Sequence, residues 1–343
     1  MNVSRFEGAP ADWDNFVRAQ PGWVHFHLYG WRTVIERVFI HKCIYLAARD
    51  DAGRIAGVLP LIRVRSLIFG HFLVSMPFLN YGGPLGTKEA VVALVAEAKT
   101  LAARDRVTLL ELRSRSQLPI DMVVSHRKIT VLLDLPETPE ALMKQLRAKL
   151  RSQVRRPTKD GVVVKIGADQ LDAFYEVFAH HMRDLGTPVL PRRFFEVARA
   201  VFGDGIIFAA AYHQDQAVAC GCGFLWDTEF EISWASSLRS YNAMSPNMLI
   251  YWELMSHVIG RGARIFNFGR CTRDSGTHKF KMQWGSREEQ LWWYRFGRTA
   301  VEAERGATPS QDTGVFHLAS RAWQRLPVPL ATRLGPAIVK FIP

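Results

Sequence analysis

The side chains best suited to chemistry fall into three groups. The first is basic: Arg147, Arg151, Arg155 and Lys159 recur at every fourth position, and no acidic residue stands between Lys144 and Lys159. On a helix this spacing gathers four cations into one stripe. Such a stripe suits a track of phosphates, either a nucleic-acid backbone or the diphosphate of an acceptor, and its plain alternative is a solvated face. The second group is Glu231 with Ser233, two residues apart and so on one face of an expected strand, with Trp234 on the other. A carboxylate there accepts a proton from an attacking amine, directly or through water, or else pairs with an arginine. The third group is Arg270, Lys279 and Lys281. Arg270 and Lys279 are candidates for phosphate binding. Lys281 stands among aromatic residues, where a charge counts for more than in water, unless it is a surface lysine at a strand end. Gly269 and Gly276 flank the loop, as turn glycines or as points of close backbone approach.

Other chemistries are excluded or demoted. Cys220-Gly221-Cys222 has no second pair at ligand spacing, so the two thiols are expected as buried small residues and no metal is expected. Neither GxxxxGK[ST] nor GxGxxG occurs, which argues against ATP and dinucleotides, and no cofactor is expected. The chain has 44 basic and 32 acidic residues, a net charge of +12, which favours anionic partners: nucleic acid, phosphorylated precursors or a lipid head-group surface. With 48% apolar and 22% charged residues over 343 positions, it is neither disordered nor collagen-like, and four cysteines make no disulfide framework. The start, Met1 to Ala11, carries no apolar run, and no stretch of about 18 apolar residues occurs anywhere. A cytoplasmic protein with reduced thiols is the expectation.

Two domains are expected at this length. The first, 1–136, holds helices over Pro10–Ala19, Tyr29–Phe39 and Lys88–Ala103. Its strands are Cys43–Ala48, Arg54–Arg63, Phe72–Met76, Val107–Leu112 and Lys128–Leu133. The helix Lys88–Ala103 faces the core with Val91, Leu94, Val95, Ala98 and Leu101. A connecting helix occupies 137–160. Thr138 caps it, Leu142, Leu146, Leu150 and Val154 form its apolar stripe, and Pro157 ends it near Arg155. The second domain, 161–297, reads as strand Val162–Ile166, helices Gln170–Leu185 and Pro191–Phe202, and strands Ile206–Tyr212, Ala217–Trp226 and Glu229–Ser236. A helix capped by Ser245 and running to Ile259 follows, then strands Arg264–Phe268 and Gln290–Phe296. Residues 298–343 hold a linker, Glu304–Gly314, and an amphipathic tail, Val315–Pro343. That tail either lies on an anionic membrane surface or docks on the protein's own apolar surface.

This order of strand, two helices, three strands, helix and strand resembles the acyltransferase fold of the GNAT type. Two such units in tandem, joined by a basic helix, resemble the FemAB family, whose members move amino acids from aminoacyl-tRNA onto peptidoglycan precursors. Three blocks carry the resemblance. They are Ser75 to Leu85 (SMPFLNYGGPL), Leu146 to Arg151 with Val154 to Val163, and Phe266 to Thr272 (FNFGRCT) with Gly276 to Gly285 (GTHKFKMQWG). The chain is most similar to the FemAB-related proteins found with exosortase (PEP-CTERM) systems and exopolysaccharide genes. The fold implied is α+β, two tandem GNAT-like domains. The activity implied is aminoacyl or acyl transfer from an activated donor to an amine or hydroxyl of a cell-envelope or exopolysaccharide precursor.

The resemblance also assigns roles. Lys281 follows Phe280 as the family's catalytic lysine does, and it implies charge stabilisation on the acyl carbonyl oxygen or on a substrate phosphate. Arg151 or Arg155 is implied as the acceptor-binding residue, and Ser75, Asn80 and Tyr81 match a loop beside the acceptor cleft. Tyr241 and Asn247 are further candidates to line the acceptor site. Glu231 is the candidate general base, with a substrate-assisted route equally open. The partners implied are a phosphorylated or lipid-linked glycan precursor, charged tRNA as co-substrate, and a membrane surface at the inner face, reached by the tail. The Arg/Gln-x-x-Gly-x-Gly/Ala loop that cradles coenzyme A in simple GNAT enzymes is missing, so coenzyme A ranks below tRNA. The family usually carries Asp where Asn267 stands, and often Ser where Cys271 stands. Asn267 thus favours the opposing reading, a non-catalytic anion-binding accessory of polysaccharide assembly.

Overall fold

The structure, a computed structural model, describes residues 1–66, 70–306 and 314–343, and most of the expected linker Glu304–Gly314 lies outside them. In chain order the elements are β1 (Asn2–Arg5), α1 (Pro10–Arg18), α2 (Gly30–Phe39), β2 (Lys42–Arg49), β3 (Ile55–Ser66), β4 (Gly70–Val74), β5 (Leu85–Gly86), α3 (Lys88–Arg104), β6 (Leu109–Ser114) and β7 (Val123–Ser125). Next come β8 (Ile129–Asp134), α4 (Pro139–Gln145), α5 (Ala148–Lys159), β9 (Val162–Ile166), α6 (Leu171–Asp184), α7 (Arg192–Phe202), β10 (Ile206–His213), β11 (Gln216–Trp226), β12 (Glu229–Ser237) and α8 (Pro246–Gly260). The chain continues with β13 (Ile265–Cys271), α9 (Gly276–Met282), β14 (Arg287–Gln290), β15 (Trp292–Gly297), α10 (Ala300–Arg305), α11 (Gly314–Gln324) and α12 (Val328–Val339).

These elements form two compact units. The first holds Met1–Lys128, the stretch from Gln290 through α10, and Ile338–Pro343. Its sheet runs β1-β2-β3-β4-β6-β15-β7, with β5 against β3. Helix α3 packs on this sheet. The Thr87 hydroxyl caps it by accepting from the Ala90 N–H, and Val91, Leu94, Val95, Ala98 and Leu101 are buried as the spacing predicts. Each of these buried valines and leucines contributes about 1.5–3 kcal/mol. Gly57 of β3 lets the helix sit close, because a Cβ there would stand 2.7 Å from the Ala90 Cβ.

The second unit holds Ile129–Glu289 with α11 and α12 as far as Ala337. Its sheet runs β9-β10-β11-β12-β13-β8-β14. Helix α8 takes the place that α3 has in the first unit, and Gly221 of β11 takes the place of Gly57: a Cβ there would lie 2.8 Å from Leu254 Cδ1. Leu142, Leu146, Leu150 and Val154 join α8 in one core cluster, as their spacing predicts. In each sheet one central pair is parallel and three residue pairs long, β4 with β6 and β12 with β13.

Five expectations are corrected. The strand expected over Lys128–Leu133 in the first domain is β8 of the second sheet, and the strand expected over Gln290–Phe296 in the second domain is chiefly β15 of the first sheet. Both are apolar strands able to fill the same sixth place, and partners far apart in the chain decide which does. The connecting helix is two helices, because Leu146 and Arg147 are extended (ψ 142 and 150). Thr138 does cap the first of them, accepting from the Ala141 N–H. Pro157 does not stop the second, which runs to Lys159. In a last turn proline forfeits only one backbone bond, and Pro157 is buried. Ser245 adopts a left-handed conformation (φ 55) and does not cap α8 with its side chain.

Candidate active site

The site grows from the end of the β12–β13 pair, where Glu231 lies opposite Asn267. Strand alternation sends Phe230 and Ile232 into the core and puts Glu229 and Glu231 on the other face. Asn267 meets both carboxylates. Its Nδ2 donates to Glu229 Oε1 at 2.7 Å and to Glu231 Oε2 at 3.2 Å. Its Oδ1 accepts from the Thr130 hydroxyl at 2.7 Å and from the Gly269 N–H at 2.8 Å. Both donors and both acceptor positions of the amide are therefore used. The Ser233 hydroxyl donates to Glu231 Oε1 at 3.2 Å, which bears out the shared face. Glu231, Asn267 and Thr130 are fully buried. An aspartate at 267 has no N–H to give two buried carboxylates, so the asparagine follows from the glutamates beside it.

Gly269 (φ 71) sits where the register of β13 on β8 slips between Asn267 and Arg270. A bulge of this kind takes a residue out of the ladder. The Gly269 and Arg270 carbonyls accept hydrogen bonds from Lys281 Nζ, at 2.7 and 3.1 Å. Lys281 lies on α9, whose first turn is capped by the Ser275 hydroxyl accepting from the His278 N–H. The side chain is 3% exposed, so it is not a surface lysine at a strand end. Burial pushes its pKa down to about 8, against the pull of Cys271 and Glu231 and with the push of Arg270. Aromatic rings line the same element: Phe280 lies 5.0 Å from Tyr251, and Trp284 packs on Tyr251 and Phe268. The loop before α9 is clamped by Glu288, which accepts from Arg273 Nε at 2.8 Å and pairs with His278 Nε2 at 2.7 Å. Gly276 opens α9, and a Cβ there would meet no protein atom within 4 Å.

The structure thus joins Lys281, Glu231, Ser233 and the Arg270 backbone within the second unit. Lys279 is exposed on α9. Arg155 and Lys159 are exposed on α5, Arg147 is the exposed residue before it, and Arg151 is half-buried with Nη1 donating to the Leu146 carbonyl at 2.6 Å. The four-residue ladder of cations therefore loses Arg147 from the helix and turns Arg151 inward. Tyr241 is half-buried and donates to Gln216 Oε1 at 2.7 Å, and Asn247 is half-buried in the first turn of α8. Ser75, Asn80 and Tyr81 belong to the first unit. Ser75 accepts from the Arg113 N–H at 2.8 Å, and Tyr81 is buried against Phe26 and Arg115. Sequence reasoning missed Glu229, Thr130 and His278. Glu229 carried a signal, the two-residue period from Glu231. Thr130 carried none, because its sheet was not legible.

Residues 144–282 match the family described as acetyltransferase (GNAT) domain, a stretch within the second unit that contains Glu231, Asn267 and Lys281. No curated protein sequence matches the chain. Among solved structures the chain is similar to FemX, at 13% identity and TM-score 0.64 over 86% of this chain and 98% of that one. It is similar to the C-terminal domain (DUF2156) of a putative lysylphosphatidylglycerol synthetase from Agrobacterium fabrum, at 14% identity and TM-score 0.55 over 86% and 93%. A tandem GNAT protein from the clavulanic acid biosynthesis pathway is similar at 12% identity and TM-score 0.53 over 87% and 100%. At these identities the likeness is one of fold. The chain is an α+β protein of two GNAT-like domains in tandem, and it carries an acyltransferase domain of the GNAT type.

Proposed function

We propose that this protein transfers an aminoacyl or other acyl group from an activated donor, with aminoacyl-tRNA favoured, to an amine or hydroxyl of a cell-envelope or exopolysaccharide precursor. The observation that carries the reading is Lys281, a buried amine held by two carbonyls beside a buried carboxylate in an acyltransferase domain. The acceptor nitrogen or oxygen attacks the acyl carbonyl carbon, and the carbonyl electron pair moves to oxygen. The Lys281 ammonium stabilises that oxyanion, a contribution worth about 10²–10³ in rate for a single donor. Glu231 takes the acceptor's proton, directly or through Ser233 or water. The bond to the donor oxygen then breaks, and the departing oxygen takes up a proton.

Support for the aminoacyl donor comes from the likeness to FemX and to the lysylphosphatidylglycerol synthetase domain. Support for an envelope or exopolysaccharide acceptor comes from the resemblance to the exosortase-associated branch of the FemAB family. Arg155 and Lys159, exposed on α5, suit a phosphate of donor or acceptor. We place the reaction at the inner face of the membrane, where lipid-linked precursors are presented. A second reading, an acyl-CoA donor, is favoured by the family description of residues 144–282.

A donor-swap assay separates them. The protein and Lys281→Ala are mixed with labelled aminoacyl-tRNAs or labelled acyl-CoA and an envelope-precursor extract. Label moving from charged tRNA with wild-type protein alone supports the proposal. Label moving from acyl-CoA replaces the donor. Full transfer by folded Lys281→Ala overturns the role of the lysine, and no transfer to a confirmed acceptor favours a binding accessory.

A further inference from the structure

We propose that α11 and α12 form a docking face for an anionic lipid bilayer. The two helices hold one face against the second unit. Ala331 and Gly335 are buried, and a Cβ on Gly335 would lie 2.8 Å from the Val189 nitrogen. At Gly186, a Cβ would meet Ser320 Oγ at 2.0 Å, and Arg183 Nη1 donates to the Leu326 carbonyl at 3.0 Å. The helices are thus seated on the connection between α6 and α7.

The opposite faces repeat one pattern. Leu318, Arg321 and Ala322 on α11 and Arg325 just past its end are exposed, as are Leu330, Arg333, Leu334 and Ala337 on α12, both sets at positions i, i+3, i+4 and i+7. Leu318 is 71% exposed, and Leu330 and Leu334 are each 42% exposed. Among the described residues the only other exposed leucine is Leu185, next to Gly186 on the connection that seats the helices. Every exposed leucine described therefore belongs to this one region.

Charge selects the occupant. From Gly314 to Pro343 there is no Asp or Glu, while Arg321, Arg325, Arg333 and Lys340 are present. Leucines entering the acyl boundary with arginines reaching the head groups is the arrangement of an interfacial helix. A nucleic-acid backbone takes the arginines but gains nothing from the leucines. A second copy in an isologous pair sets the same arginines against one another. No described helix is long and apolar enough to cross a membrane, so the attachment is to a surface. This inference is independent of the transfer chemistry.

The test is flotation of the full-length protein with phosphatidylcholine vesicles, with and without phosphatidylglycerol. Binding is expected to be at least about tenfold stronger with phosphatidylglycerol, because each surface arginine adds roughly fivefold, and to fall as salt rises. The double variant Leu330→Glu/Leu334→Glu changes two exposed positions and keeps the wild-type melting temperature. It is expected to lose about tenfold or more of the binding. Equal binding to both vesicle types, no binding to either, or full binding by the double variant overturns the proposal. A dimer in solution that the double variant disperses gives the face to a second copy and overturns it too.

Discussion

The parallel pair β4–β6 of the first unit ends at Val74 opposite Glu111, the place that Glu231 and Asn267 hold in the second. Glu111 is fully buried and paired with Arg113 at 2.9 Å and with Arg295 at 3.0 Å, and Arg113 stacks on Trp293. The chain after β4 turns back onto β6: the Ser75 N–H donates to the Glu111 carbonyl, the Arg113 N–H to Ser75 Oγ, and the Gly82 N–H to the Arg113 carbonyl. In the second unit β12 instead runs on as a strand to Ser237, and the bulge on β13 gives its carbonyls to Lys281. One unit cancels its buried charges with each other and occupies the end of its parallel pair with its own loop. The other keeps a desolvated amine with no salt bridge among the described residues. Cancelled charge specifies structure, whereas a cation held at the expense of hydration is poised for chemistry.

Exchanging the two sites' roles is the strongest way to break this comparison. Lys281→Met is expected to lower transfer about 10²–10³-fold at an unchanged or higher melting temperature. Arg113→Met removes one of the arginines paired with buried Glu111 and is expected to cost about 3 kcal/mol of stability in denaturant titration, with little change in turnover per folded molecule. The reverse pattern sinks the division of labour. Asn267→Asp sharpens the account of the asparagine. A third carboxylate there is expected to cost about 2 kcal/mol at neutral pH. Its pKa is raised by its neighbours, so the loss shrinks as pH falls towards the ordinary aspartate range, which denaturation at acid and neutral pH would reveal. A gap constant with pH would remove the charge argument.

The Lys281 titration gives a smaller, graded effect. Because the cation is the working form, kcat/KM is expected to fall about tenfold per pH unit above a midpoint near 8, and Lys281→Arg moves that limb out of range. Stability responds with the opposite sign. The unfolded chain holds a proton that the fold sheds between about 8 and the ordinary lysine value of 10.5, so wild type gains stability over that window and Lys281→Met does not. The smallest effect belongs to α5. Arg155→Ala or Lys159→Ala is expected to reduce the salt slope of substrate binding by about one unit and to raise KM a few-fold. An unchanged slope would return those residues to a solvated face.

Much of the local structure was legible because local forces decide it. The five inward residues of α3, the Thr138 cap, the apolar stripe from Leu142 to Val154 and the shared face of Glu231 and Ser233 follow from periodicity and capping. Lys281 was found by its place after Phe280. What failed depended on distant partners. Nothing in 128–133 or 290–296 tells which sheet receives each strand, so Thr130 could not be linked to Asn267. Asn267 looked like a lost carboxylate, and only the β12–β13 register shows it between two retained ones.

By itself, the sequence determined two α+β units, a basic surface, an aromatic neighbourhood for Lys281 and a tail of leucines and arginines without an acid. These are properties of composition and short-range period. The tertiary structure alone decided which strands complete each sheet, where a bulge frees two carbonyls, and which buried charges are cancelled. Each of those outcomes depends on hydrogen bonds and desolvation between residues tens to hundreds of positions apart, and no local preference encodes that pairing.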